Sequence, residues 1–422
     1  MEGNNMQFAL QFFQTFVNLG AAVMLPVVIA ILGLFFRMKI GQAIKSGLLV
    51  GIGFQGLCLA VGLLTTTIQP VMDYYEKMGS GYDVLEIGFA ALGGAAWTVP
   101  FAVFAIPAIV IINLVLVKLK ITKVLNVDIW NFMHFLVPGA LAYALFGNAL
   151  IGFLVTIVLS VVTLFFSQWL APEWGEFFGL EGTTCTTLSF ASWVFPISKG
   201  INKIIDKIPG VNKIDLDMDK VASKLGVFGD PAFIGIIVGL FLGILTRQDI
   251  PSILTICMGI AAVMVLIPRM VAIMMEGLTP LGSAANDYMI KSVGEDAEIY
   301  IGMDIALGLG DPGCITCTAI MIPVTILLAF AVPGMRFFPL GILAEVCYLA
   351  PMCVMTSKGN VFRTLVSMVI LMYATLFFAN MFAPQATQMM SVTGVSYNSM
   401  VTASHFGWNP GNLIVCLFDK LF

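Results

Sequence analysis

The run Ile301-Gly-Met-Asp-Ile-Ala-Leu-Gly-Leu-Gly-Asp-Pro-Gly-Cys-Ile-Thr-Cys-Thr-Ala-Ile-Met-Ile-Pro-Val-Thr-Ile-Leu-Leu-Ala-Phe-Ala331 decides the fold. It is too long for one perpendicular transmembrane helix, and Gly302, Gly308, Gly310 and Gly313 crowd its start. Such a segment suits a short half-helix or hairpin followed by a full span. Residues 87–117 repeat the pattern. Gly88, Gly93 and Gly94 open that run, and Pro107 follows Gly94 at the interval that separates Pro323 from Gly310.

Working outward, the whole chain reads as membrane-embedded. Of 422 residues, 59% are hydrophobic and 10% charged, with a mean hydropathy of +0.99. A soluble domain carries about a quarter charged residues, so that class is excluded. Apolar segments at 17–36, 48–69, 87–117, 130–148, 149–168, 231–246, 252–275, 301–331, 339–356 and 361–383 predict about ten crossings. The expected fold is an all-α polytopic membrane protein with about ten transmembrane helices plus re-entrant hairpins. The first run is span-length, unlike a cleavable leader, and ends in Arg37 and Lys39. The 20 Lys and Arg are outnumbered by 24 Asp and Glu, and no basic stripe pairs with aromatics, so no nucleic acid is expected as partner. Cys314-Ile-Thr-Cys317 has no second pair and no nearby histidine. No metal or cofactor is therefore expected.

Charge sets the predicted orientation. Loops bearing Arg37, Lys39 and Lys45, then Lys118, Lys120 and Lys123, and the connector 199–226 are basic and expected in the cytoplasm. The 70–86 loop, with Asp73, Glu76, Asp83 and Glu86, falls outside. The connector divides two similar halves. Gly33-Leu-Phe-Phe resembles Gly239-Leu-Phe-Leu, and Asn126-Val resembles Asn360-Val. Five crossings before the connector would insert the second half upside down, making the loop 247–251 external and the loop 276–300 cytoplasmic. Two inverted repeats with broken helices are a transporter architecture.

Polar residues at membrane depth are costly and point to function. Asn131 and His134 share a helical face after Asp128, for which an N-cap role is expected. Glu181 precedes Thr183, Thr184, Thr186 and Thr187, either as an interfacial loop or as a re-entrant turn lining a polar cavity. Asp311 stands at the tip of Gly308–Gly313 and is expected to face Trp97 and Thr98 at the other tip. Asp304, Met355 and Thr356 are neighbouring candidates. This mixture of acceptors, hydroxyls and an indole suits a neutral polyhydroxylated ligand. A cation pathway would need more than one intramembrane carboxylate per half, and an anion site would need Arg or Lys at this depth.

The segments 124–134 (Val-Leu-Asn-Val-Asp-Ile-Trp-Asn-Phe-Met-His), Glu181-Gly182, Lys207-Ile-Pro-Gly-Val-Asn-Lys213, Phe228-Gly-Asp-Pro231, Glu276-Gly-Leu-Thr-Pro280, Ile301-Gly-Met-Asp304 and Gly359-Asn-Val-Phe-Arg-Thr364, in this order, resemble the galactitol-type enzyme IIC family of the bacterial phosphotransferase system. The similarity runs from about residue 20 to 365. It implies a homodimeric elevator-type permease related to the ascorbate-type IIC proteins, in the bacterial cytoplasmic (inner) membrane. Residues 17–69 and 231–275 would form the dimerisation scaffold, 86–198 and 301–383 the transport core, and 384–422 a C-terminal tail. The substrate would be a sugar alcohol, phosphorylated by the phosphocysteine of a separate IIB subunit that is recharged through IIA and HPr. No residue of this chain would be phosphorylated. From the polar residues above, the expected substrate site comprises Trp97, Thr98, Asn131, His134, Glu181, Thr184, Asp311, Met355 and Thr356, and Glu181 or His134 is expected to orient or deprotonate the hydroxyl presented to IIB. Family members carry histidines near Asp311 and near the threonine run, where this chain has none. The rival readings are an ion-coupled secondary transporter of a polyol or sugar without phosphorylation, and a polytopic structural or sensory protein.

Overall fold

Two helices joined by a tight reversal open the described chain. Helix α1 (Ala21–Phe35) meets the long α2 (Ile40–Met78) through a turn in which the Met38 N–H donates to the Gly33 carbonyl at 2.8 Å. Closing so short a turn puts Arg37 in the left-handed region, at φ 63°. Helices α8 (Pro231–Leu245) and α9 (Ile250–Val293) later repeat the motif. There the Gln248 N–H donates to the Gly243 carbonyl at 3.0 Å and Arg247 has φ 54°. The counterpart of Gly33 is thus Gly243, one helical turn beyond the Gly239 chosen from the sequence. These four helices pack on one another. The computed structural model describes residues 21–78, 83–96, 98–126, 128–216, 231–293, 299–393 and 399–421.

Each long helix feeds a broken segment. After α2 come strand β1 (Val84–Glu86), a short helix α3 (Gly88–Ala96) and α4 (Ala102–Lys118). After α9 come β4 (Tyr300–Met303), a 3-10 turn Ile305–Gly310 and α10 (Pro312–Ala331). Both expected interruptions, in 87–117 and in 301–331, are present. Between them lie β2 (Val124–Asn126), α5 (Met133–Phe146), α6 (Ala149–Phe178), β3 (Thr183–Cys185) and α7 (Phe195–Ile205). The chain ends through α11 (Leu340–Glu345), α12 (Ala350–Thr356), α13 (Val361–Met381), α14 (Ala383–Val392), β5 (Met400–Thr402), α15 (His405–Trp408) and α16 (Pro410–Leu421).

The strands exchange between halves. Parallel β1 and β5 pair, with Glu86 opposite Thr402, while β4 lies between β2 and β3 with Gly302 opposite Asn126 and Thr184. The entry to β1 is tied by Val84 N–H to the Arg336 carbonyl at 3.0 Å, as the entry to β4 is tied by Tyr300 N–H to that of Lys123 at 2.9 Å. Strands of three or four residues were not foreseen, because so short a run carries no readable alternation.

Helices α6, α10 and α13 are, among the described residues, long and apolar enough to cross a bilayer. On α6, Leu150, Leu154, Val158, Val162, Phe165 and Trp169 form an outward stripe at helical spacing, as a lipid-facing helix requires. Its inward face is small: a Cβ on Gly139 of α5 would lie 2.7 Å from the Gly152 carbonyl, so the two backbones touch. The helical class is therefore right. Three boundaries differ from the sequence reading. Helices α2 and α9 continue into the polar stretches expected as the loops 70–86 and 276–300, reaching Met78 and Val293, because apolar residues at helical spacing where these begin, Ile68 and Val71 then Leu278 and Leu281, are buried. The tail after Pro384 packs into the interior. Of the connector 199–226, residues 199–216 are described; its remainder lies outside the described residues.

Candidate functional site

Helix α5 and the two sheets converge on a buried polar core. The turn before α5 places Asp128 so that it accepts the Asn131 backbone N–H at 3.3 Å and its side-chain amide at 2.7 Å. That amide also donates to Thr187 Oγ1 at 2.9 Å and faces the carboxylate of Asp304 from the other half. Thr187 Oγ1 in turn accepts the Ile305 N–H at 3.1 Å. Two carboxylates held close in a buried site repel unless donors lie between them, and Asn131 supplies the donor.

One helical turn further on, His134 Nδ1 lies 2.9 Å from His405 Nε2 and 3.3 Å from Ser189 Oγ. Trp408 Nε1 donates to His405 Nδ1 at 3.1 Å, and Phe89 stacks on the His405 ring with centroids 3.7 Å apart. Asn409 donates to the His134 carbonyl at 3.0 Å, which locks the tail onto α5. Beyond the histidines a second carboxylate pair closes the core. Glu86 accepts the Gly88 N–H at 2.8 Å and the N–H groups of Gly341 and Ile342. Glu345 accepts the Phe89 N–H at 2.6 Å and the Ser404 hydroxyl.

Asn131 and His134 are buried on successive turns, each with its own partners, and Asp128 accepts the Asn131 N–H in the capping role expected. Other candidates lie differently. Glu181 is exposed in the turn between α6 and β3, the loop alternative, while buried Thr184 donates to the Ser167 carbonyl at 2.7 Å. Asp311 is half-buried and caps α10, accepting the N–H groups of Gly313 at 2.8 Å and Cys314 at 3.2 Å. Thr98 donates to the carbonyls of Ala95 and Thr393, so its bonds lead to the end of α14. Met355 is buried, and Thr356 Oγ1 lies 2.7 Å from Ser198 Oγ. Trp97 lies outside the described residues. Cys314 and Cys317 are buried thiols.

Three members of the core escaped the sequence reading. Glu86 was counted with an external loop, Glu345 sits in an apolar run, and His405 falls in a tail of unassigned role. Against the expectation of a single carboxylate per half, the core holds two from each: buried Glu86 and Asp128, then half-buried Asp304 and Glu345. A signal existed in His405, one of two histidines in the chain.

A helical membrane protein whose polar groups converge at breaks in its spans is a permease-type protein. The comparisons narrow the class. The family model described as "PTS system sugar-specific permease component" (EIIC-GAT) matches residues 15–399. The "PTS system galactitol-specific EIIC component" of Escherichia coli (strain K12) is 35% identical over 399 residues, covering 93% of this chain and 87% of that protein. A "Putative permease IIC component" of the same strain is 30% identical over 410 residues, covering 95% of this chain and 93% of its own. The chain belongs to the EIIC-GAT family of phosphotransferase-system sugar-specific permease components, membrane proteins that work with a IIB component.

Proposed function

We propose that the chain binds a sugar alcohol of the galactitol type in the core between Asp128–Asp304 and Glu86–Glu345 and carries it across the bacterial inner membrane to IIB. The observation that carries this reading is the set of hydrogen-bonding groups in that core. Four carboxylates, Asn131, Ser189, Ser404 and the two imidazoles interleave, and Phe89 and Trp408 flank the histidines. A hexitol presents hydroxyls that both donate and accept, with apolar C–H faces between them. Each carboxylate accepts a hydrogen bond from a hydroxyl, and the aromatic rings take the C–H face.

Phosphoryl transfer asks the permease to hold the acceptor oxygen in line and to ease loss of its proton. His134, buried and bonded to His405, is the group we assign to that task; Glu181 is exposed. Asp311 stands at the start of α10, beside the break in the second half, and we keep it as a substrate acceptor in addition to its cap.

The matched Gly33 and Gly243 turns, the matched ties of β1 and β4, and the exchange of strands between halves support two inverted repeats of about ten crossings in all. Helices α1, α2, α8 and α9 would be the scaffold of a homodimer, against which the strand-linked core moves as an elevator. IIA and HPr would recharge IIB. Equilibrium binding of galactitol and its hexitol stereoisomers to the purified protein tests the ligand. Galactitol should bind at least tenfold tighter than the others, and equal affinities would remove the stereochemical claim. The ion-coupled rival keeps one observation in its favour, the two core carboxylates in each half.

A further inference from the structure

The α1–α2 turn and α9 enclose a cavity of about 740 Å³, within the range of a small-ligand site. Arg37, Lys39 and Gln42 line it from one side and Ser283, Asp287 and Tyr288 from the other. The Arg37 guanidinium lies 5.9 Å from the Tyr288 ring centroid. Neither Arg37 nor Lys39 joins an ion pair with a described residue, so the wall carries two cations against one carboxylate.

The matching turn in the second half shows what is particular here. Arg247 corresponds to Arg37, and Pro70 on α2 corresponds to Pro280 on α9, at one constant spacing along the chain. In that turn Gln248 donates Nε2 to the Pro70 carbonyl at 3.0 Å and bridges turn to helix. Asp249 stands where Lys39 stands, accepting the Ser252 N–H at 3.0 Å. The first half replaces the bridging glutamine by Met38, which has no N–H to reach across, and the aspartate by a lysine. One turn is closed and balanced; the other is open and basic.

An apolar track starts at the rim. Ile40, Ile44 and Leu48 are exposed at 67%, 49% and 53%, four residues apart on one face of α2. A basic cavity at the end of a lipid-facing stripe fits a ligand with an anionic head and hydrocarbon tails. We propose that this cavity holds the phosphate headgroup of an anionic phospholipid from the leaflet that the basic turn faces. The phosphodiester lies between Arg37 and Lys39, headgroup hydroxyls meet Gln42 and Ser283, and an acyl chain follows Ile40, Ile44 and Leu48.

Native mass spectrometry after exchange into mixed phosphatidylglycerol and phosphatidylcholine tests the site, with inorganic phosphate added in a separate arm. The parent should retain phosphatidylglycerol selectively. Arg37→Asn with Lys39→Gln removes both charges while asparagine tolerates the left-handed turn, and retention should fall about tenfold to thirtyfold. Met38→Gln leaves every charge in place but installs the bridge seen at Gln248, and should also lower retention. Arg247→Asn should leave it unchanged. Hexitol binding reports the fold of each variant. Equal retention in parent, charge variant and Met38→Gln would overturn the site, and displacement of lipid by millimolar phosphate would overturn the lipid in favour of a free anion.

Discussion

His405 Nε2 lies 2.9 Å from His134 Nδ1, although 271 residues separate them in the chain. The contact joins the C-terminal segment to α5, one turn beyond Asn131, and makes the tail part of the buried polar core. A double-mutant cycle with His134→Ala and His405→Ala should show a coupling of about 1 kcal/mol in hexitol binding, whereas additive losses would mean that the two rings act separately.

Asn131 separates Asp128 from Asp304. Replacing it by Leu removes the donor between the carboxylates and strips Thr187 of a partner. Binding should fall by roughly one to two powers of ten, from about 1–3 kcal/mol per lost buried partner, with thermal stability falling too. Unchanged affinity and melting temperature would show that Asn131 holds neither carboxylate.

Asp311 has two proposed duties, which two substitutions separate. Asparagine is a good N-cap, so Asp311→Asn should keep α10 intact while Asp311→Ala loses about 1 kcal/mol of stability. If the carboxylate also accepts a substrate hydroxyl, both variants lose hexitol affinity. Parental affinity in the Asn variant would confine Asp311 to the cap.

Gly341 reaches the Glu86 carboxylate through its backbone, and an added Cβ would stand 2.7 Å from both Glu86 Oε2 and the Gly88 Cα. Gly341→Ala should therefore displace Glu86 and weaken binding, with Gly334→Ala, where a Cβ meets nothing within 4 Å, as a comparison for backbone strain alone. Equal hexitol affinity in parent and Gly341→Ala would detach the Glu86 pair from the site.

Arg336 donates to Asp83 at the entry to β1, Nε to Oδ1 at 2.9 Å, and this hydrogen bond holds the Asp83 carboxyl below the usual carboxylate range. The folded-state value is depressed, so the contribution is present above the ordinary range, about pH 4, and is lost as pH falls through the depressed value. The pair is exposed, and its effect is small. The difference in melting temperature between parent and Asp83→Asn should shrink steadily as pH falls from 7 through the depressed value; a difference that does not change with pH would trace to packing.

The sequence made the membrane class, both glycine-opened breaks and the Asn131–His134 face readable, because hydropathy and helical spacing are local quantities. What it hid depends on contacts between halves. Glu86 resembled a surface acid until β1 paired with β5 and turned it toward Gly341. His405 had no reading until the tail folded onto α5. Asp304 was ranked low because its partner Asp128 lies in the other half, and no local pattern joins them. The strands were hidden by their length. The repeat was legible only to within one helical turn, since Gly239 and Gly243 both sit in apolar glycine-rich sequence and only the hydrogen bond to Gln248 tells them apart.

The most direct measurement follows radiolabelled galactitol into vesicles bearing this chain, with and without phosphorylated IIB inside, and identifies the product. Accumulation of galactitol phosphate only when phosphorylated IIB is present is the expected result. Concentrative uptake of free galactitol driven by an ion gradient, independent of IIB, would contradict it and would assign the four core carboxylates to an ion pathway.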